Sequence, residues 1–168
     1  MGKIMIKLLT PDAKMPSRAH EDDSGLDIYA AEDIIVQPGA TVVVKTGLSI
    51  KLPPGHDAYI RPRSGVSTKT KLRVVSPPID VGYRGEIGVI VDNIASPLNE
   101  YDGQVRDITG NLIPFTTVPY DVNSYLIRKG DRLAQLVVTP VALPQIIEVD
   151  ELDETERGDS GYGASGVR

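Results

Sequence analysis

The sequence predicts an all-β domain, a sandwich or barrel of short strands. β-branched, partly alternating runs recur along the chain, in "TVVVKTGLSIKL", "DAYIRP", "GEIGVIVDN" and "RLAQLVVTPV". Gly, Pro or Asp bounds each run, and 13 prolines and 16 glycines spread turn signals throughout. Hydrophobic residues make up 40% and charged residues 24% of 168 positions, enough for one packed core.

Taken in order, the opening "MGKIMIKLLTPDAK" has an apolar run too short for a signal peptide or a membrane span. Ile6 stands where a myristoylation signal needs Ser or Thr. "DSGLDIYAAEDI" (23–34) places Asp27 at a strand start. The run from Thr41 reads as strand until "PPG" stops it. "DAYIRP" is a further strand, and "VSTKTKL" after Gly65 is one of two stretches that tempt a helix assignment. Residues 77–89, "PPIDVGYRGEIGV", form a proline-stiffened turn that leads into a strand. In "RKGDRLAQLVV" (128–138) a turn capped by Asp131 enters a buried strand, where Gln135 makes a core hydrogen bond. The acidic "EVDELDETE" (148–156) lacks an apolar stripe and reads as a solvated linker. The chain thus divides into a β domain, residues 1–147, and an acidic linker with a glycine-rich tail, residues 148–168. Residues 94–127 are an inserted loop or hairpin with turn pairs at Asp102-Gly103 and Gly110-Asn111. They hold the only Phe and three of the seven tyrosines, so local packing competes with a protein-partner surface as the explanation.

The net charge of −5, from 18 basic and 23 acidic side chains, argues against a nucleic-acid partner but leaves open a small anion held by placed arginines. No cysteine is present, which removes disulfides and thiolate metal sites, and His20 and His56 are too isolated to make a zinc site.

Three stretches carry chemistry. In "RPRSGVSTK" (61–69) the Arg63 fork, the Ser64 hydroxyl and backbone N–H groups at Ser64 and Gly65 converge as an anion site; a basic turn with a helix cap is the plainer reading. In 77–89 a carboxylate pinned in a rigid hairpin, Asp80, can hold and partly deprotonate a water, and Tyr83 can pack on a sugar. Taken singly, both are ordinary turn and edge residues. The closing "RGDSGYGASGVR" (157–168) has the spacing of a dinucleotide-binding loop at Gly161, Gly163 and Gly166, yet only Val167 and Arg168 follow, so no helix can stand behind it.

In order, five segments resemble the motifs of the trimeric dUTP diphosphatase (dUTPase) family. They are Ser24-Gly25-Leu26-Asp27, Pro62-Arg63-Ser64-Gly65-Val66, Ile79-Asp80-Val81-Gly82-Tyr83-Arg84-Gly85-Glu86, Gly130-Asp131-Arg132-Leu133-Ala134-Gln135-Leu136 and the closing run. The resemblance implies a jelly-roll-like β-barrel with a flexible glycine-rich C-terminal arm. It implies a homotrimer whose three sites each draw on all subunits. The implied reaction is hydrolysis of dUTP to dUMP and pyrophosphate, with Asp80 orienting the water onto the α-phosphorus. That limits uracil incorporation into DNA and supplies dUMP for thymidylate synthesis. Arg63, Ser64 and Gly65 would hold phosphates, with Gln135 in the substrate-binding set. Asp27 would bind waters of a Mg²⁺ chelated by the triphosphate. Tyr83 would lie on the deoxyribose, and the hairpin between Val74 and Ile79 would read uracil through its backbone. In the arm, Arg157 would reach the γ-phosphate, Tyr162 would stack on uracil, and Gly163, Ser165 and Gly166 would approach the phosphates. Tyr162 replaces the family's Phe, and Val74 stands where the family has an Asn. A dCTP deaminase shares fold and substrate class but would need a glutamate base near the ring. The long 94–127 piece is similar to that of phage-type members and is a candidate surface for a regulatory protein partner. Neither membrane nor nucleic acid is expected as a partner. The expected location is the cytoplasm of a bacterium or a phage-infected host.

Overall fold

A computed structural model describes residues 2–102, 104–114 and 119–160. Its elements in chain order are β1 (Met5–Leu8), β2 (Leu26–Tyr29), β3 (Ile34–Val36), β4 (Thr41–Lys45), β5 (Leu48–Lys51) and β6 (His56–Pro62). Then come α1 (Ser64–Lys69), β7 (Leu72–Val75), β8 (Pro78–Ile79), β9 (Gly88–Asn93), β10 (Tyr101–Asp102) and β11 (Gln104–Arg106). β12 (Leu112–Pro114), β13 (Tyr120–Asp121), β14 (Tyr125–Ile127) and β15 (Arg132–Pro140) complete the set. The predicted all-β class holds, with one short helix where "VSTKTKL" suggested it.

Three small sheets of at least three strands enclose the core. One runs β2-β15-β6-β8, a second β4-β9-β7 and a third β12-β11-β14-β3. β15 is the hub, pairing antiparallel with β2 on one side and along its length with β6 on the other. Alternation sets the faces: in β9 Val89, Val91 and Asn93 point inward while Gly88, Ile90 and Asp92 are more exposed. Leu133 and Leu136 of β15 meet Ile28, Val44, Leu48, Val91 and Ile127 in a single cluster. Buried Asn93 is fully used: Nδ2 donates to the Val36 and Asn123 carbonyls (3.0 and 2.9 Å) and Oδ1 accepts from the Ala95 N–H.

Three boundaries differ from expectation. "TVVVKTGLSIKL" is two strands, broken where the Thr46 hydroxyl turns to donate to the Ile87 carbonyl at 2.5 Å. Residues 94–127 are not wholly peripheral, because β14 is buried and pairs with β3 in the barrel wall. The predicted hairpin exists as β11–β12, and Tyr125 packs inward with its hydroxyl accepting the Lys71 N–H at 3.0 Å. At the other end the last strand stops at Pro140, short of residue 147. The exposed run that follows carries bare apolar side chains, Leu143 at 79% and Ile146 at 94% exposure. Among the described residues no helix is long and apolar enough to cross a membrane.

Candidate active site

β6 delivers the chain to Pro62, and Arg63, in extended backbone, precedes α1. Val66 and Ser67 donate their N–H groups to the Arg63 carbonyl, and no side chain caps the helix. Arg63, Ser64, Gly65, Lys69 and Gln135, with Ile108 and Thr109, line a cavity of about 270 Å³. Behind it lies Asp27, 2% exposed, on the middle of β2. A buried carboxylate must be paired. Arg63 Nε lies 3.2 Å and Arg132 Nη1 3.4 Å from its oxygens, and Gln135 Nε2 donates at 3.4 Å. Arg63 Nη1 also donates to the Arg132 carbonyl at 3.0 Å. The structure therefore brings together Asp27, Arg63, Ser64, Gly65 and Gln135 from three motifs, because β15 carries Arg132 and Gln135 between β2 and β6.

Asp27 does not face open solvent. Among the described residues no cluster of three or more His, Asp or Glu could cage a metal. Arg63, Arg132 and Gln135 present nitrogen donors to Asp27, so its two carboxylate oxygens are the metal-type ligands in this cluster.

A second cavity, of about 210 Å³, opens beside the β7–β8 link, which is not the hairpin expected, because β7 pairs with β9 and β8 with β6. Ile79, Asp80, Tyr83 and Glu86 line it together with Val75, Pro77 and Pro78. Asp80 is exposed, and its carbonyl accepts the Tyr83 N–H at 3.0 Å, closing a tight turn. Tyr83 donates its hydroxyl to the Glu86 carbonyl at 3.1 Å, which folds the ring over Gly85, where any Cβ would collide with it. The Glu86 carboxylate accepts the Gly47 N–H at 2.8 Å and so anchors the turn to the β4–β5 connection. Val74 does not line this cavity; it packs toward the core, and its neighbour Val75 takes the wall. Pro77 and Pro78 have no N–H to offer in the β7–β8 link. The Ser76 hydroxyl between Val75 and Pro77 is buried without a hydrogen-bond partner.

The two cavities share no lining residue, so within one chain Asp80 and Tyr83 stand apart from Arg63 and Ser64. Arg157 is exposed, its Nε donating to the Ser160 carbonyl at 3.4 Å, and it lines neither cavity. Tyr162, Gly163, Ser165 and Gly166 lie outside the described residues. Lys69, Val75, Glu86, Ile108 and Thr109 are wall residues that the sequence reading missed. The basic residue after Ser64 was a findable signal for Lys69. Nothing local marks Ile108 and Thr109, which arrive from a distant hairpin.

An exposed carboxylate on a tight turn beside one aromatic ring, and a separate arginine-lined cavity on a small β fold, are an arrangement suited to a nucleotide hydrolase. The dUTPase family model matches residues 11–99 and 106–166. The deoxyuridine 5'-triphosphate nucleotidohydrolase of Clostridium tetani is 37% identical over 97% of this chain and 96% of its own length. Among solved structures, a mutant dUTPase of Staphylococcus bacteriophage 80alpha with dUpNHpp superposes with TM-score 0.93 at 36% identity, covering 99% of this chain and 100% of that one. A mutant dUTPase from phage phi11 of S. aureus, described with a structural Mg(II) ion, gives 0.85 at 35% identity over 89% and 98%. The chain belongs to the dUTPase family.

Proposed function

We propose that this chain hydrolyses dUTP to dUMP and pyrophosphate as a homotrimer, limiting uracil incorporation into DNA and supplying dUMP in the cytoplasm of a bacterial or phage-infected cell. The observation that carries the reading is the division of the site. The base-and-sugar slot with Asp80 and the phosphate cavity with Arg63 are complementary halves on one barrel, and subunit contacts join the half of one copy to the half of another. Asp80 holds and orients the attacking water, since displacement at phosphorus depends on in-line placement and charge neutralisation. Tyr83 covers the deoxyribose and leaves no room for a 2′-hydroxyl. The Val74–Ile79 segment reads uracil through its backbone carbonyls and the N–H groups of residues other than the two prolines. Mismatched bases would leave buried polar groups unpaired.

Mg²⁺ chelated by the triphosphate neutralises phosphate charge when bound. Asp27 would hold such an ion through its water ligands, and Arg63, now paired with Asp27 beside Arg132 and Gln135, would serve the phosphates. The arm then closes on a neighbour's nucleotide, with Arg157, Tyr162, Gly163, Ser165 and Gly166 placed over triphosphate and base.

The test is Asp80→Asn, which keeps the turn while removing the charge. Turnover falls by about a thousandfold or more while affinity for a non-hydrolysable dUTP analogue stays within a fewfold. Retention of full rate refutes the assigned role. A second reading, a protein partner at residues 94–127, is favoured by one observation: the family match is interrupted at 100–105, where Tyr101 is 59% exposed. It fails if a chain lacking residues 96–122 keeps every partner of the full chain.

A further inference from the structure

The β11–β12 hairpin ends in a rigid turn, residues 107–111. Asp107 Oδ1 accepts hydrogen bonds from the Thr109 N–H (2.8 Å), the Thr109 hydroxyl (2.6 Å) and the Asn111 N–H (3.1 Å). Arg106 Nη1 donates to the Gly110 carbonyl at 3.2 Å, and Ile108 packs against the barrel core. Burial acts to push the Asp107 carboxyl up, but the bonds from Thr109 and Asn111 prevail and hold it below its ordinary value.

The tip of this turn sits on the end of α1. Gly110 has φ of +86°, and a Cβ built on it would lie 2.5 Å from the Lys69 carbonyl oxygen. Conformation and contact both demand glycine there. Beside that seat, Ile108 and Thr109 face the same cavity as Arg63, Ser64, Gly65 and Lys69. α1 is six residues long, so Lys69 and Ser64 are only about 8 Å apart along its axis. The same C-terminal end of the helix is gripped by Arg73, whose Nη1 donates to the Ser67 and Thr70 carbonyls at 3.1 Å each, so the six residues move as one piece. A shift at the Lys69 seat therefore moves the first turn of the helix with it.

We infer that the 107–111 turn is the outer wall of the phosphate cavity, and that Gly110, through its seat on Lys69, is a positioning residue for the Arg63–Gly65 turn against the triphosphate. This holds only if that cavity takes the phosphates, as proposed above.

Gly110→Ala tests it in the full chain with Mg²⁺, by calorimetric titration with dUMP and with the imido analogue of dUTP, alongside steady-state turnover of dUTP. Affinity for the analogue drops about tenfold and KM rises to match, while kcat and dUMP affinity stay within about twofold. Equal weakening of both ligands, or of neither, overturns the inference. Gly110→Asn tolerates the positive φ but keeps the Cβ, so it must follow Gly110→Ala if the contact is the cause. Should both variants fail to fold, Thr109→Ala keeps glycine on the seat and the backbone bonds to Asp107, loses the hydroxyl's bonds to Asp107 and Asn111, and thins the wall. It must then weaken the analogue selectively, by about threefold, or the inference falls. A wild type that releases no pyrophosphate from dUTP brings down the functional reading. A wild type that does, beside an indistinguishable Gly110→Ala, brings down only this one.

Discussion

Asp27 shows how one buried charge organises a site. Its carboxylate draws Arg132 and Gln135 from β15 and Arg63 from the β6–α1 junction, so Arg63 is held at the edge of its cavity instead of wandering in solvent. The segments bearing Asp27, Arg63, Asp80 and Tyr83 were legible, because turn chemistry and motif order are written locally. Which wall each side chain joins was not. Val74 and Val75 are equivalent on paper, and strand pleat alone turns the first to the core and the second to the slot. Asp131 belongs to the same scale. It caps its turn as expected, its Oδ2 accepting the Arg128 N–H at 2.9 Å, and burial raises its pKa above the ordinary carboxylate value. A raised folded-state pKa contributes stability below the unfolded value that is lost as pH rises through the folded one. Asp131→Asn keeps an acceptor oxygen but carries no charge to desolvate. Its melting temperature relative to wild type should therefore be more favourable at pH 7 than at pH 3.5; an unchanged difference across that range removes the desolvation argument.

At the scale of elements, alternation and turn residues sufficed for β6, β9 and β15, while β14 stayed hidden. Its three residues, Tyr125, Leu126 and Ile127, are all buried, so no polar–apolar rhythm advertises them inside an aromatic-rich segment. The split between β4 and β5 falls at Thr46-Gly47, where Gly47 takes a φ of +66° and the Thr46 hydroxyl reaches Ile87, a long-range contact that no local pattern shows. The trimming of residues 96–122 is an experiment about elements. Asn93 and Asn123 are already hydrogen-bonded, so joining Ala95 to Asn123 closes a short gap and leaves β14 in place. The shortened chain should keep its β-sheet spectrum and a cooperative melt. It should also lose affinity for the imido analogue, relative to the full chain, while dUMP affinity stays within about twofold, since the wall at Ile108 and Thr109 has gone. A molten product would show that the hairpin supports the barrel itself.

At the scale of the whole molecule, the class was legible from composition and punctuation, and motif resemblance implied sites shared between subunits, but the separate walls of the two cavities were not legible, because cavities form only when distant strands meet. The bare apolar run after Pro140 points the same way. Leu143, Ile146 and Ile147 have no partner surface on their own barrel, and a second copy supplies one in the proposed trimer. Ile146→Asp combined with Ile147→Asp should shift the mass seen in light scattering from trimer toward monomer and abolish dUTP turnover together. A variant that remains trimeric and active would show that the run does not hold the subunits.

The place of β15 has a last consequence, for synthesis. Both of its partners, β2 and β6, leave the ribosome long before it and must wait unpaired at their inner edges until Arg132–Pro140 is made. Pairings so distant in sequence close slowly. A nascent chain stalled anywhere upstream of that strand has no finished barrel, so this protein is born late and nearly all at once.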